Sequence, residues 1–330
     1  MAITKEPIRV DLTNLHLHIF TMGGDGLGES FLVIIKEGKR ICFSMLIDSC
    51  VTKVDEQTVN LPLRFIDHYG VKKLDCIIWT HPHDDHSLGL DTIVRQCYGK
   101  NTIGFIPQYF FGNERDIVPI TAVCRNVRKT FTSVFRKKHL VPVDCASGES
   151  RLLVQRIFMD ANTEEIKALN IKFCTPIGPI MQERMSQDKP YSQSQLNELS
   201  LSLVMEFDDY CFFFGGDAPG TKIKMANDED ISRCKWTTIP HHGSKSSRQL
   251  RSILRRDIDC ATCTTYLSQP LPEKEILELY NHPDSVHVDV TQKERASAFF
   301  YGVIEYDYDF ASLPNAKLQV KRYGNAYRYS

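Results

Sequence analysis

The segment WTHPHDDHSLGL holds three histidines and two aspartates within six consecutive residues. Imidazole nitrogens and carboxylate oxygens are the donors that zinc and other divalent transition metals bind in proteins. Pro82 blocks a regular helix, so we expect a loop that leaves the apolar strand LDCIIWT. In such a loop His81 and His83 point the same way, and Asp85 and His86 follow at the start of a helix. This spacing suits two neighbouring cations that each keep an open position for water.

His81, His83, Asp85 and His86 resemble the H-x-H-x-D-H signature of the metallo-β-lactamase superfamily. The resemblance implies a metallo-β-lactamase-like four-layered αβ/βα sandwich with a dinuclear metal site. It further implies that His81 and His83 hold the first metal and that Asp85 and His86 hold the second. Asp85 would also orient the attacking water.

Two more carboxylates match motifs of the same family in the same order along the chain. The strand MLID ends at Asp48, which the resemblance assigns to orienting the metal loop through hydrogen bonds. The segment CFFFGGD ends at Asp217, which would bridge the two metals. An aspartate in a tight G-G-D turn is the simpler interpretation of the second motif taken alone.

A narrower resemblance rests on NELSLSLVMEF and TTIPHHGSKSS. Both are similar to the metallo-β-lactamase-like domain of ComEC-type competence proteins and their soluble relatives, and the similarity extends from Arg9 to Tyr280. It implies that Asn197 stands where other members of the superfamily carry a third histidine. Gln269, in SQPLPEKEIL, replaces a histidine that is usual in the subgroup. The second metal is therefore expected to be weakly held or absent.

The segment PHHGSKSS has a physical interpretation of its own. Its serines are candidate caps for the helix SRQLRSILRR, whose free N–H groups would form a phosphate pocket together with Ser244 and Lys245. His241 and His242 would divide metal coordination and contact with the scissile phosphate, and the sequence does not say which does which. The implied catalytic residues are Asp48, Asp85 and His242. The implied metal ligands are His81, His83, Asp85, His86, Asp217, His241 and His242, and the implied substrate-binding residues are Asn197, Ser244 and Lys245.

The elements that must position these residues alternate between strands and helices. Strands are expected in runs such as SFLVIIKEG, RICFSMLID, LSLVMEF and YCFFFGGD, and helices in LPLRFIDHYG and PEKEILELY. No repeat or linker divides the chain, so residues 1–330 are expected to form one domain. The polar stretch QERMSQDKPYSQSQ is expected to be a loop. His16 and His18 alternate on the first strand, where we expect an exposed face without metal.

The overall composition limits the classes of partner. A net charge of −1 over 330 residues gives no global attraction to nucleic acid or anionic membranes. The sequence contains no signal peptide and no apolar run long enough to span a bilayer. The eleven cysteines have no framework spacing, which favours reduced thiols and a cytoplasmic location. Cys260 and Cys263 are expected in a buried strand.

The sequence therefore predicts a metal-dependent hydrolase, most plausibly a phosphodiesterase or nuclease that binds two Zn²⁺ ions per chain, with Mn²⁺ as an alternative metal. Its partner would be nucleic acid or another phosphodiester, and its oligomeric state stays open. The basic stretch Cys124–His139 either faces nucleic acid or forms a solvated helix face. Two other functions remain open: hydrolysis of a small ester, lactone or nucleotide, and a regulatory scaffold that has lost turnover.

Overall fold

The computed structural model describes residues 2–24, 26–54, 56–111, 120–135, 139–186, 191–255, 258–281, 287–292, 301–312 and 316–329. All strands, helices and contacts below lie within these ranges.

The strands follow the chain from its first residues to its last. They are β1 Ile3–Val10, β2 Leu15–Gly24, β3 Gly28–Glu37, β4 Arg40–Ile47, β5 Val51–Val54, β6 Gln57–Asn60, β7 Cys76–Ile78, β8 Ile103–Pro107, β9 Leu140–Val143, β10 Arg151–Asp160, β11 Ile166–Phe173, β12 Leu203–Phe207, β13 Tyr210–Phe214, β14 Trp236–Thr238, β15 Cys260–Cys263, β16 His287–Val290, β17 Tyr301–Asp309, β18 Lys317–Gly324 and β19 Tyr327–Arg328.

The helices are mostly short and connect strands of the same sheet. They are α1 Leu61–His68, α2 Leu90–Cys97, α3 Gln108–Phe111, α4 Ala122–Val134, α5 Gly178–Ser186, α6 Gly220–Ile223, α7 Asp228–Ser232, α8 Pro240–Gly243, α9 Arg248–Ile253 and α10 Lys274–Tyr280. Single 3₁₀ turns are formed by Leu12–Asn14, Asp84–His86, Gln193–Leu199, Lys245–Ser247 and Phe310–Ser312.

Two large sheets contain nearly all of the described strands. One has the order β18–β17–β2–β3–β4–β7–β8–β9, and the other has the order β1–β10–β11–β12–β13–β14–β15–β16–β19. The strands β5 and β6 form a separate hairpin. Within each large sheet, antiparallel pairs give way to parallel pairs: β4, β7, β8 and β9 run parallel, as do β13, β14, β15 and β16.

The layering follows from which face of each strand is apolar. Phe31, Val33 and Ile35 on β3 face the second sheet, while Leu32 and Ile34 face the helices α1, α2 and α4. The second sheet packs its other face against α6, α7, α9 and α10. Because central strands are buried on both faces, they read as continuous apolar runs in the sequence. The order helix, sheet, sheet, helix confirms the predicted four-layered αβ/βα sandwich.

Some local predictions differ from the structure. The stretch expected to be a loop, residues 182–195, contributes Gln182–Ser186 to α5. Its last residues begin the 3₁₀ segment Gln193–Leu199, and 187–190 lie outside the described residues. The face of β2 that carries His18 is not exposed, because His18 is buried there in contact with the Tyr69 ring that follows α1. The alternation of the strand alone did not reveal this contact with a later segment of the chain.

Other predictions agree with the structure. Cys260–Cys263 is a buried strand, and all eleven cysteines are buried free thiols. In the part of the chain that the structure describes, no helix is long and apolar enough to cross a membrane.

Candidate metal centre

Two neighbouring parallel strands place the metal-competent loop. The strands β4 and β7 pair in register, with Ile47 opposite Ile78, so both end at the same edge of the sheet. Asp48 follows β4 directly, and its backbone N–H donates to the Ile78 carbonyl at 2.9 Å. The segment HPHDDH follows β7 two residues later. The carboxyl ends of parallel strands are where open α/β sheets gather functional side chains.

Asp48 anchors this loop from beneath. Its Oδ1 accepts from the Thr80 N–H at 2.7 Å, and its Oδ2 accepts from the Thr80 hydroxyl at 2.5 Å and from His86 Nδ1 at 2.8 Å. Burial raises the pKa of Asp48, although these hydrogen bonds oppose the rise. Because Nδ1 of His86 is held by Asp48, its Nε2 faces Asp85 and Asp217. Asp48 thus ties the end of β4 to both Thr80 and His86.

Five side chains form two overlapping groups of possible metal donors. His81, His86 and Asp217 form one group, and Asp85, His86 and His242 form the other, with one donor atom of each residue within 4.8 Å of its partners. His86 Nε2 lies 3.6 Å from Asp85 Oδ2 and 3.5 Å from Asp217 Oδ1. His242 Nε2 lies 3.2 Å from Asp85 Oδ2. Donor atoms around a tetrahedral zinc ion lie about 3.3 Å apart, so these separations fit a divalent metal.

Two atoms at the centre of these groups have no hydrogen-bond partner. Among the described residues, His86 Nε2 and Asp217 Oδ1 are buried without one, and they face each other. Burying unpaired polar atoms is costly unless another group, such as a cation, satisfies them. The donor set therefore fits a divalent cation between them.

The carboxylates and imidazoles of the cluster shift each other's pKa values. Burial raises the pKa of Asp217, but His86, His242 and His241 together hold it well below its ordinary value. Burial lowers the pKa of His86, while Asp85 and Asp217 raise it well above its ordinary value. The imidazolium protons thus occupy the place of metal charge, and metal binding would release them.

His81 and His83 meet at the outer side of the cluster. His81 Nε2 lies 3.0 Å from His83 Nδ1 and 3.7 Å from Asp217 Oδ2. Burial, together with the neighbouring His86 and His83, lowers the pKa of His81 well below its ordinary value. His81 is therefore a neutral imidazole, the form that coordinates metals.

The two adjacent histidines of PHHG point to different partners. His241 and His242 both adopt left-handed backbone angles, with φ of 52° and 50°, in the turn Pro240–Gly243. Such angles are uncommon outside glycine and cluster at functional sites. His242 joins the donor group of Asp85, whereas His241 Nε2 lies 3.0 Å from Asn197 Nδ2 at the cavity wall. Of the two histidines, His242 therefore belongs to a group of possible metal donors, and His241 lies beside Asn197.

The serines and Lys245 lie differently from the prediction. None of Ser244, Ser246 and Ser247 caps the helix α9 through its side chain; Ser247 instead donates its hydroxyl to the Pro240 carbonyl. Ser244 contacts the hydroxyl of Ser246 at 2.7 Å. The side chain of Lys245 is 73% exposed and lies 3.6 Å from Glu273, outside the cavity wall. The predicted side-chain cap of α9 is wrong, because a 3₁₀ turn, Lys245–Ser247, precedes the helix and the Ser247 hydroxyl bonds to Pro240.

A support for His242 was missed in the sequence. His242 Nδ1–H donates to the Thr264 hydroxyl at 2.9 Å, and this hydroxyl donates to Glu29 Oε2 at 2.5 Å. Burial raises the pKa of Glu29 to about 6, although the neighbouring His242 and His86 lower it. Glu29 and Thr264 are 235 positions apart in the chain and carry no motif, so only the fold reveals this connection.

The donor groups lie at the wall of a cavity of about 710 Å³. Its polar wall includes His83, Asp85, Asn197, His241 and Gln269. Its apolar wall includes Leu27, Val51, Pro82, Leu88, Tyr266 and Leu271. Among the described residues that line it, none is a lysine or an arginine.

Comparisons with known proteins do not identify a family for this chain. No protein-family model matches the chain, and no curated protein matches its sequence. One solved structure that matches is described as a new diphosphatase from the PhnP family, with a TM-score of 0.40 and 14% sequence identity. The match covers 82% of this chain and 94% of that one. At these values it supports no conclusion about activity.

Proposed function

We propose that this chain is a metal-dependent hydrolase of phosphate esters that acts on a small substrate within the cavity. The observation that carries the proposal is the pair of donor groups that share His86, with two buried unpartnered atoms facing each other between them. A solvated polar turn would not bury such atoms.

We assign the donors to two ions from the distances between their donor atoms. His86 has only Nε2 available, so it serves one ion, together with Asp85 and His242. His81 and His83 would hold the neighbouring ion, and Asp217 would lie between the two. Zn²⁺ or Mn²⁺ bound here would lower the pKa of a water and polarise a phosphoryl oxygen.

The remaining groups would position the substrate. Burial raises the pKa of Asp85, but His86 and His242 lower it below its ordinary value, so Asp85 is ionised and can accept a hydrogen bond from the attacking water. Asn197 and His241 also line the cavity; Asn197 Nδ2 donates one N–H to His241 Nε2, and its second N–H would donate to a phosphate oxygen. Tyr266 stacks on His242 with ring centroids 5.2 Å apart and keeps water from that side of the ring.

The wall of the cavity favours a small substrate over a polynucleotide. A track for nucleic acid needs lysine or arginine along the groove, and the described lining has neither. A partly apolar pocket of this volume is typical of small-molecule sites. A nuclease remains a second candidate because Arg125 and Lys129 are exposed on α4, whose N-cap residue Thr121 lines the cavity.

The test uses purified full-length protein, stripped of metal and reloaded with Zn²⁺ or Mn²⁺. We expect hydrolysis of bis(p-nitrophenyl) phosphate that depends on metal, with weaker activity on p-nitrophenyl acetate and on single-stranded DNA. His86→Ala should abolish it, and His68→Ala, a change at an exposed histidine, should not. Equal activity in EDTA or in His86→Ala would refute the metal mechanism. Bound metal without turnover of any substrate would favour the scaffold alternative.

The second candidate has its own test. Arg125→Ala combined with Lys129→Ala should leave hydrolysis of the small diester unchanged, and Lys274→Ala on α10 is the matched control. A nuclease would lose polynucleotide cleavage and show a shallower salt dependence in the α4 variant alone.

A further inference from the structure

A second cluster of metal-competent side chains lies on the other half of β2. β2 pairs with β17 in antiparallel register, with His18 opposite Asp307 and His16 opposite Asp309. Side chains two residues apart on a strand share a face, so His16, His18, Glu305 and Asp307 project together. His16 is eight residues from Gly24, which lines the main cavity, or about 26 Å along the strand. The cluster is thus separate from the candidate metal centre.

The separations of its donor atoms fit a single ion. His16, His18 and Asp307 each offer one donor atom, and these lie within 4.8 Å of one another. His16 Nδ1 is 2.9 Å from Asp307 Oδ1, and His18 Nε2 is 3.8 Å from the same oxygen. The two values lie on either side of the roughly 3.3 Å between donors around a tetrahedral zinc ion. Small side-chain rotations would bring all three to coordination distance.

The tautomer of His18 supplies an independent observation. His18 Nδ1 donates to Glu305 Oε1 at 2.9 Å, which leaves the lone pair of a neutral imidazole on Nε2. His18 is only 3% exposed, and Nε2 has no hydrogen-bond partner among the described residues. A buried lone pair that faces a carboxylate is unfavourable unless a cation lies between them. A carboxylate behind a ligating histidine is also the usual support of a zinc site.

Hydrogen bonds from two tyrosines hold Glu305 in place behind His18. Glu305, 1% exposed, also accepts from the hydroxyls of Tyr69 at 2.9 Å and Tyr323 at 2.6 Å. Two cations lie near: Lys321 is 3.9 Å from Glu305, and Lys36 lies over the Tyr69 ring at 5.6 Å. The side chain of His16 is 31% exposed, so water can reach the ion as a fourth ligand.

We propose that His16, His18 and Asp307 bind one Zn²⁺ ion that fastens β17 to β2, with Glu305 as the residue that orients His18. The site does not depend on the proposed hydrolase function. It would stabilise the folded chain by mass action, because the three ligands come together only when β2 and β17 pair.

The experiment counts zinc in the full-length protein after dialysis against a saturating zinc buffer. We expect His16→Gln and Asp307→Asn each to hold one ion fewer than the parent, with unchanged hydrolysis at saturating Mn²⁺. Asp309→Asn is the matched control, because Asp309 lies on the same strand and its carboxylate caps the Ala311 N–H. An unchanged zinc count in both variants would overturn the site.

A second measurement separates this site from the main one. In a background that carries His81→Ala, His86→Ala and Asp217→Asn, which removes donors of both proposed main-site ions, zinc should still raise the melting temperature, and adding His16→Gln should remove that rise. A rise that persists after His16→Gln is added would also overturn the proposal, whereas inactivity of His86→Ala bears only on the hydrolase.

Discussion

Asp217 is the carboxylate that contacts histidines of both donor groups of the candidate metal centre. It lies within 4 Å of His81, His86 and His242. We expect Asp217→Asn to lose at least one equivalent of metal and nearly all turnover, because a neutral amide compensates the repulsion between cations poorly. Asp48→Asn should retain more of its metal than Asp217→Asn does, and its activity should fall about tenfold to a hundredfold. Elemental analysis and rates at saturating Mn²⁺ measure both effects.

The control for these two variants is Asp209→Asn, an exposed aspartate in the turn between β12 and β13. If Asp217→Asn binds metal and turns over like the parent, then Asp217 is not the bridge.

Thr264 acts on the centre only through His242. Replacing it with valine keeps the shape but removes the hydroxyl that links His242 to Glu29, so the imidazole loses its fixed orientation. We expect Thr264→Val to weaken metal affinity about tenfold to a hundredfold. Zinc titration measures the change. Thr265→Val is the matched control, since the Thr265 hydroxyl has no partner among the described residues. Equal affinity in the parent and Thr264→Val would show that this link is not needed.

Some residues of the site are predictable from the sequence, and others are revealed only by the fold. The donors in HPHDDH are adjacent in the chain, and Pro82 and the preceding apolar strand already predict a loop at a strand end. The division between His241 and His242 depends on two left-handed backbone angles, which no local pattern encodes. Glu29, Thr264 and the pairing of His18 with Asp307 depend on tertiary contacts between distant segments.

At the scale of elements, Asp160 closes the end of β10. Its carboxylate accepts from the backbone N–H groups of Leu12 at 2.9 Å and of Asn162 and Thr163 at 2.7 Å each. These hydrogen bonds, that from Leu12 first, hold the pKa of Asp160 below its ordinary value of 3.8. They join the 3₁₀ turn after β1 to the turn after β10.

This depressed pKa predicts a pH-dependent contribution to stability. A carboxyl group whose pKa is lower in the folded state stabilises it above its ordinary pKa, and the effect disappears as pH falls through the folded value. Asp160→Asn should therefore unfold at lower urea concentration than the parent at pH 7, and the gap should narrow below about pH 3.8. Asp209→Asn, on an exposed turn, should show no such gap. A gap that is constant from pH 7 to pH 3 would contradict this role of the carboxylate.

The elements differ in how well the sequence predicts them. The central strands were predictable because burial on both faces leaves unbroken apolar runs, as in SFLVII of β3. The helix α5 was not, since its apolar positions, such as Met181, are interrupted by polar residues. The serines before α9 resemble caps in sequence, yet Ser247 bonds to Pro240 instead. Local propensity and tertiary contact compete at such places, and the contact determines the outcome.

At the scale of the molecule, the C-terminal segment joins the two sheets. The strands β17 and β18 extend the eight-stranded sheet beside β2, whereas β19 pairs with β16 at the edge of the other sheet. The family resemblance ended at Tyr280, so these strands had no predicted place. The segment therefore contributes to both sheets of the sandwich.

Asp289 is the buried point where this connection is made. It lies fully buried on β16 and accepts from Arg322 on β18, at 2.8 Å from Nε and 2.5 Å from Nη2, and from the Tyr306 hydroxyl on β17 at 3.0 Å. One carboxylate of the nine-stranded sheet thus holds two strands of the other sheet. Arg322 is the partner that loses most if the carboxylate is removed, because its charge is then left partly buried.

We expect Asp289→Ala to lower the free energy of unfolding by about 3 kcal/mol, near the lower end for a broken buried ion pair because Arg322 is 29% exposed. Urea unfolding of metal-free protein measures the loss, and Asp209→Ala, an exposed aspartate, should cost far less. Because the link joins two sheets, its loss should destabilise the whole transition and not only the C-terminal strands. A loss below about 1 kcal/mol, the range of surface ion pairs, would show that the sheets are held together by their shared apolar core without this carboxylate.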